Sequence, residues 1–171
     1  RFGNDRFDIA YGPILPGSRS RSRYAISSTN TKLNVHRVLR AMQIRRPVLL
    51  EGPPGVGKSS LVANIASMSR HTLVRINLSE HSELSDLLGS DLPTEGDGSE
   101  SGPKFKWCDG VFLEAMKQGS WVLLDEMNLA PQSVLEGLNA CLDHREEVYL
   151  PEIGQAVKCH PSFRVFCAQN P

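Results

Sequence analysis

Residues 52–59 read Gly-Pro-Pro-Gly-Val-Gly-Lys-Ser, with Lys58 and Ser59 directly behind Gly57. That spacing is the phosphate-binding loop pattern, two glycines five positions apart followed by Lys and a hydroxyl residue. Glycine lets successive backbone N–H groups turn inward around an anion. A helix starting near Lys58 would point its positive end at the same charge. Gly52, Pro53, Pro54, Gly55, Val56, Gly57, Lys58, Ser59 and Ser60 are therefore the candidate nucleotide-binding residues. In this chemistry Lys58 reaches the β- and γ-phosphates and the Ser59 hydroxyl ligates Mg²⁺. A Gly/Pro-rich turn between a strand and a helix is the plainer alternative.

A second constellation supplies carboxylates. Trp121-Val122-Leu123-Leu124 is an apolar run ending in Asp125-Glu126. A buried strand with that ending delivers both carboxylates to the carboxyl edge of a parallel sheet, where phosphate loops also lie. Asp125 would hold the Mg²⁺ shell, and Glu126 would orient and polarise an attacking water. Carboxylates often cap strands into solvent, so the pair gains force from its place, 67 residues after Lys58 with another strand and helices between. Asn170 completes the set at the exit of the last strand. Its amide could hydrogen-bond a γ-phosphate or the lytic water, or simply make an Asn-Pro turn.

These residues need elements to position them. Residues 1–30 are rich in Gly, Pro, Ser and Arg and read as a linker or extended strap. From Thr31 onward, Val35, Val38, Leu39 and Met42 recur at helical spacing, predicting an amphipathic helix over 31–43 that Pro47 stops. Strands are predicted at 48–50, 72–78, 121–124 and 164–168. Helices are predicted behind the glycine loop (Leu61, Val62, Ile65, Ala66), around Leu84–Leu88, at Phe112–Met116 and at Val134–Leu142. Gly89 should end the second of these in a left-handed conformation, and Asp109 should cap the third. Residues 91–103, rich in Gly, Pro and acids, predict a mobile loop. Phe105 and Trp107 beside it would anchor it to the core or face a neighbour. Val148–Leu150 and Ala156–Cys159 predict a hairpin. Alternating strands and helices give an α/β fold, a three-layer sandwich with a mostly parallel sheet.

Composition narrows the function classes. At 40% apolar and 22% charged, the chain is one ordinary globular domain, and its longest apolar runs are too short to span a membrane. No apolar signal core stands at the N-terminus. Both ends, Arg1 and Asn170-Pro171, read as cuts from a longer chain. Four cysteines without CxxC spacing argue against structural zinc and for reduced thiols in cytosol or nucleus. Zero net charge hides an asymmetry, because residues 1–50 carry ten Lys/Arg against two Asp/Glu. That basic stretch, with Arg19, Arg21, Arg23, Arg45 and Arg46, could meet nucleic acid or an acidic neighbour, or be a solvated face.

In the order phosphate loop, Asp-Glu strand, hairpin, then Gln169-Asn170-Pro171, the chain resembles an AAA+ ATPase module. The hairpin and the insert around 80–110 are similar to those of the dynein-related branch. Blocks at 75–79, 86–93, 121–130 and 133–145 resemble the multi-module ring chains of that branch that act in ribosome maturation. The resemblance covers about residues 24–171. It implies that Gly52–Ser59 is Walker A, Leu124-Asp125-Glu126 Walker B and Asn170 the first sensor, with 31–171 as the nucleotide-binding core. It implies ATP and Mg²⁺ as ligands and catalytic roles for Lys58, Glu126 and Asn170. Implied partners are the neighbouring AAA+ modules of the same ring and, through other parts of the parent protein, the pre-60S particle and its assembly factors. A nuclear location, nucleolus and nucleoplasm, follows from the same likeness, and no membrane partner. A module that holds ATP as a structural brace is the alternative; a small-molecule kinase would need an acceptor pocket and its own lid. In the family a fifth strand, an arginine finger and a helical lid follow the first sensor. Without them, the first strand would stand at a sheet edge and the arginine would come from elsewhere, since Arg145 does not match the finger. Tyr24-Ala25-Ile26 is the family-based candidate for touching adenine.

Overall fold

A computed structural model of the chain describes residues 7, 9–13, 28–94, 104–143 and 145–171. The basic residues 19–23 and the Tyr24-Ala25-Ile26 segment lie outside them. The first helix, α1 (Thr29–Ala41), begins two residues earlier than the apolar spacing suggests, because Ser28 caps it by accepting from the Thr31 N–H at 3.2 Å. Next come β1 (Val48–Glu51), α2 (Lys58–Met68), β2 (Leu73–Asn77) and α3 (Leu84–Leu88). They are followed by β3 (Gly89–Thr94), β4 (Lys104–Asp109), α4 (Val111–Gln118) and β5 (Trp121–Asp125). A single 3-10 turn (Met127–Leu129), α5 (Gln132–Leu142), β6 (Glu147–Leu150), β7 (Gln155–Lys158) and β8 (Arg164–Gln169) complete the described elements.

Four strands form one parallel sheet in the order β1-β8-β5-β2. Period-two alternation then divides the core in two. Trp121 and Leu123 of β5, Phe166 and Ala168 of β8, and Leu50 of β1 point toward α1 and α2. Val122 and Leu124 of β5, with Val165 and Cys167 of β8, point toward α3, α4 and α5. The two central strands are buried throughout β5 and nearly so in β8, which explains their unbroken apolar sequence. β1 stands at an edge, where Leu49 is exposed. The parallel sheet covered on both faces is the three-layer α/β architecture read from the sequence.

Three local expectations are corrected. Residues 91–94 are not loop: β3 pairs antiparallel with β4, Asp91 facing Trp107 and Leu92 facing Lys106. Only 95–103 of the predicted loop lie outside the described residues. Gly89 does not stop α3 in the left-handed helical region; at φ 124° and ψ 173° it turns directly into β3, where a side chain would collide with the Cys108 carbonyl 2.3 Å away. Asp109 does not cap α4 either. Gly110 holds that position, and the Asp109 carboxylate instead accepts from Trp107 Nε1 (2.8 Å) and from Lys117. Trp107 accordingly packs against the core while Phe105 stays exposed.

Residues 7 and 9–13 lie along the α1–α2 side. Phe7 and Ile9 pack on that core, Gly12 N–H donates to Ser69 O at 2.8 Å, and Arg70 covers the Tyr11 ring. The four cysteines are free, and burial pushes the Cys141 thiol up to about 12 and those of Cys159 and Cys167 up to about 11. Raised in this way, the Cys141, Cys159 and Cys167 thiols stay protonated at neutral pH. Among the described residues no helix is long and apolar enough to cross a membrane.

Phe166 is fully buried, pairs with Val48 on one side and Leu123 on the other, and meets the Trp121 ring at 5.3 Å. Phe166→Ala should therefore lower unfolding free energy by about 3–5 kcal/mol, read as a fall in the urea midpoint with an unchanged slope.

Candidate functional site

The site forms where β1, β5 and β8 end side by side. Beyond Glu51 the chain leaves the sheet and folds back through Gly55 (φ 80°) and Gly57 (φ 86°), backbone angles a side chain resists. The second of these caps α2 and has no side chain to accept from the helix's first N–H groups. Those groups and the positive helix end face the cleft, so the loop is built for an anion. Lys58, the first residue of α2, bends over the loop. Its ammonium donates to Gly52 O at 2.6 Å, Pro53 O at 3.1 Å and Asn170 Oδ1 at 2.9 Å.

Asn170 follows β8 and links two elements. While its Oδ1 accepts from Lys58, its Nδ2 donates to both carboxylate oxygens of Glu126 at 2.9 Å. Glu126 itself adopts a left-handed backbone, φ 57° and ψ 43°, a conformation costing a non-glycine residue about 1–3 kcal/mol. That turn swings its side chain across the end of the sheet toward Asn170. The structure therefore joins Lys58, Asn170 and Glu126, the three residues assigned catalytic roles from sequence.

Asp125, the last residue of β5, is buried, and its carboxylate accepts from the Ser59 hydroxyl at 2.9 Å and from the Glu126 N–H at 3.2 Å. Sequence reasoning missed its third partner. Arg75 on β2 donates to Asp125 Oδ2 through Nε at 3.1 Å and through a terminal nitrogen at 2.5 Å. The signal lay in β2, where a charged residue interrupts Leu73-Val74-Arg75-Ile76 on the face it shares with Leu73 and Asn77. Arg145, by contrast, bonds Asp143 and does not line the cleft.

The ligand chemistry fits these donors. A hydroxyl and a carboxylate side by side are hard oxygen donors of the kind Mg²⁺ selects, while the loop N–H groups and Lys58 suit phosphate oxygens. Among the described residues no cluster of three or more His, Cys, Asp or Glu could hold a metal alone. A divalent ion here would complete its shell with phosphate and water, as Mg²⁺ commonly does. Pro54, Gly55, Gly57, Lys58, Ser59 and Ser60 line the cleft, together with Arg75, Asp125, Glu126 and Asn170.

Burial alone would raise the Asp125 pKa. Bonds from the Ser59 hydroxyl, the Arg75 guanidinium and the Glu126 N–H outweigh it and hold the carboxyl below its ordinary 3.8. A depressed carboxylate stabilises the fold fully above its unfolded pKa and loses that contribution as pH falls through the folded value. Asp125→Asn should thus be less stable than wild type at neutral pH. The gap should close as pH falls below about 4, when urea unfolding of the two proteins is compared across pH.

Known proteins share this arrangement of sequence and fold. Residues 47–171 match the AAA domain family of the dynein-related subfamily. The chain is 56% identical over 171 residues to midasin of Dictyostelium discoideum, covering 100% of this chain and 3% of that protein. It is 50% identical over 153 residues to midasin of Giardia intestinalis, covering 90% of this chain and 3% of that protein. Among solved structures, one from Cytophaga hutchinsonii superposes with a TM-score of 0.59 at 24% identity, over 82% of this chain and 38% of that one. That last likeness concerns the fold. The chain spans only a small part of the midasins it matches, as one module of a much longer protein would. By its family match over residues 47–171, the chain belongs to the dynein-related subfamily of AAA domains.

Proposed function

We propose that this chain is an ATP-binding and ATP-hydrolysing module of a large ring ATPase that remodels pre-60S ribosomal particles in the nucleus. One observation carries the catalytic part: a single amide, Asn170, is bonded at once to the phosphate-loop lysine and to both oxygens of Glu126. The high identity to two midasins supports the biological setting. Neighbouring modules of the same ring would be the immediate partners. The pre-60S particle and its assembly factors would be reached through other parts of the parent chain.

In this reading Gly52–Ser60 wraps the phosphates with backbone N–H groups, and Lys58 gives up its loop carbonyls for the β- and γ-oxygens. Ser59 and Asp125 would hold Mg²⁺, which when bound offsets the charge of those oxygens. Glu126 orients a water and accepts its proton, with Asn170 fixing the carboxylate toward the γ-phosphate. The amide carries no charge of its own, so it orients Glu126 without forming an ion pair with it.

In the parent ring, Glu126→Gln should remove a large share of ATP turnover while nucleotide binding persists, measured by phosphate release against the wild type. Unchanged turnover, together with a ring loosened by Lys58→Ala, would identify ATP at this site as a brace.

The basic side chains lining the cleft among the described residues are Lys58 and Arg75, and Asp125 already engages Arg75. A further arginine in trans can contribute 10³–10⁵ in rate to phosphoryl transfer. The 171-residue chain alone should therefore turn over ATP below about one per minute, and steady Mg²⁺-dependent release above that rate would contradict the trans requirement.

A further inference from the structure

Arg75 is the only charged residue of β2. Both of its hydrogen bonds to Asp125 go to one atom, Oδ2, and the Ser59 hydroxyl donates to that same oxygen. The other oxygen, Oδ1, accepts from the Glu126 N–H at 3.2 Å. Three donors thus crowd the carboxylate oxygen shared by the two side chains that, on the reading above, hold Mg²⁺.

A divalent ion between Ser59 and Asp125 needs lone pairs where those donors now point. The Ser59 proton can rotate away at little cost, but the guanidinium carries a full charge that repels a second cation at close range. Exposure shows which group yields. The Arg75 side chain is 62% exposed and can withdraw into water, whereas that of Asp125 is only 9% exposed and stays in place.

We propose that Arg75 is a displaceable counterion for Asp125: it occupies the carboxylate until Mg²⁺ takes its place, and so sets the Mg²⁺ concentration at which the site loads. Arg75 is then a positioning residue acting through Asp125. The inference rests on the nucleotide reading of the site and assigns a metal threshold that the loop motif does not carry. Its thermodynamic form is simple. The apparent Mg²⁺ affinity equals the intrinsic affinity multiplied by the fraction of molecules in which the pair is open.

The test is equilibrium binding of a fluorescent ATP derivative to the 171-residue chain while Mg²⁺ is titrated upward from full chelation, for wild type, Arg75→Gln and Arg75→Lys. Removing an ion pair of this exposure should lower the half-loading Mg²⁺ concentration about two- to fivefold in Arg75→Gln, with Arg75→Lys between the two. Structural damage would weaken loading, so a downward shift cannot arise from it. In chelator, Arg75→Gln should also melt below wild type, because Asp125 then lacks its counterion. A half-loading point unchanged or raised in Arg75→Gln, while wild type loads normally, overturns the proposal and leaves the nucleotide reading standing. Absence of Mg²⁺-dependent ATP binding in wild type overturns the nucleotide reading and the proposal with it.

Discussion

The position of β8 between β1 and β5 is the constraint on which the site depends. All four strands of this sheet run parallel, so their carboxyl ends meet at one edge, and whatever follows each strand is delivered there. The glycine loop follows β1, Glu126 follows β5, and Asn170 follows β8. Lys58 and Asn170, 112 positions apart, therefore meet at 2.9 Å, and no local interaction could bring them together. Register matters as much as order. Glu51 lies opposite Gln169, and a one-residue slip of β8 would exchange inward and outward faces, replacing the Phe166 and Ala168 contacts with those of Val165 and Cys167. The buried aromatic pair of Trp121 and Phe166 is thus also a device for keeping Asn170 in line, because both rings lie on the two strands that must stay aligned.

The partners chosen for the two adjacent carboxylates separate their roles. Asp125 is buried and paired with a cation and a hydroxyl, which hold it ionised. Glu126 meets a neutral amide through both oxygens, so it is fixed in direction by a group that carries no charge. On the function proposed above, one carboxylate would hold the ion and the other would accept the proton, although they are neighbours in the chain. The left-handed backbone at Glu126 makes that divergence possible. A regular strand would send consecutive side chains to opposite faces of the sheet, whereas the turn sends Glu126 across its end.

The sheet was legible because its strands are buried. Val122–Leu124 and Val165–Ala168 carry apolar residues at every position, and only a strand covered on both faces asks for that. The α1 stripe was equally plain at Val35, Val38 and Leu39. The β3–β4 ribbon was not. Its residues, such as Asp91, Leu92, Pro93 and Lys106, are largely exposed, so neither face imposes an alternation on them, and Gly and Pro suggest a loop. The cap of α4 was misread for a related reason. Asp109 has the right chemistry for capping, but its carboxylate finds Trp107 and Lys117, and the backbone of Gly110 takes the position instead.

At the site, the sequence disclosed the groups that face a ligand better than the groups that face one another. Phosphate loops and Asp-Glu strand ends are legible because the anion dictates residue types at fixed spacing. Arg75 answers to no ligand spacing. It reaches Asp125 because β2 and β5 pair with Asn77 opposite Asp125, which places Arg75 two residues back on the same face, within a side chain's length of the carboxylate. A shift of two residues either way would remove the pair without disturbing either strand's apolar pattern. The feature therefore belongs to register, which becomes visible only when two strands are laid side by side. What the sequence did offer was the anomaly itself, a guanidinium in the middle of a short strand. An arginine placed there must either reach water along the sheet edge or find an anion, and this one does both.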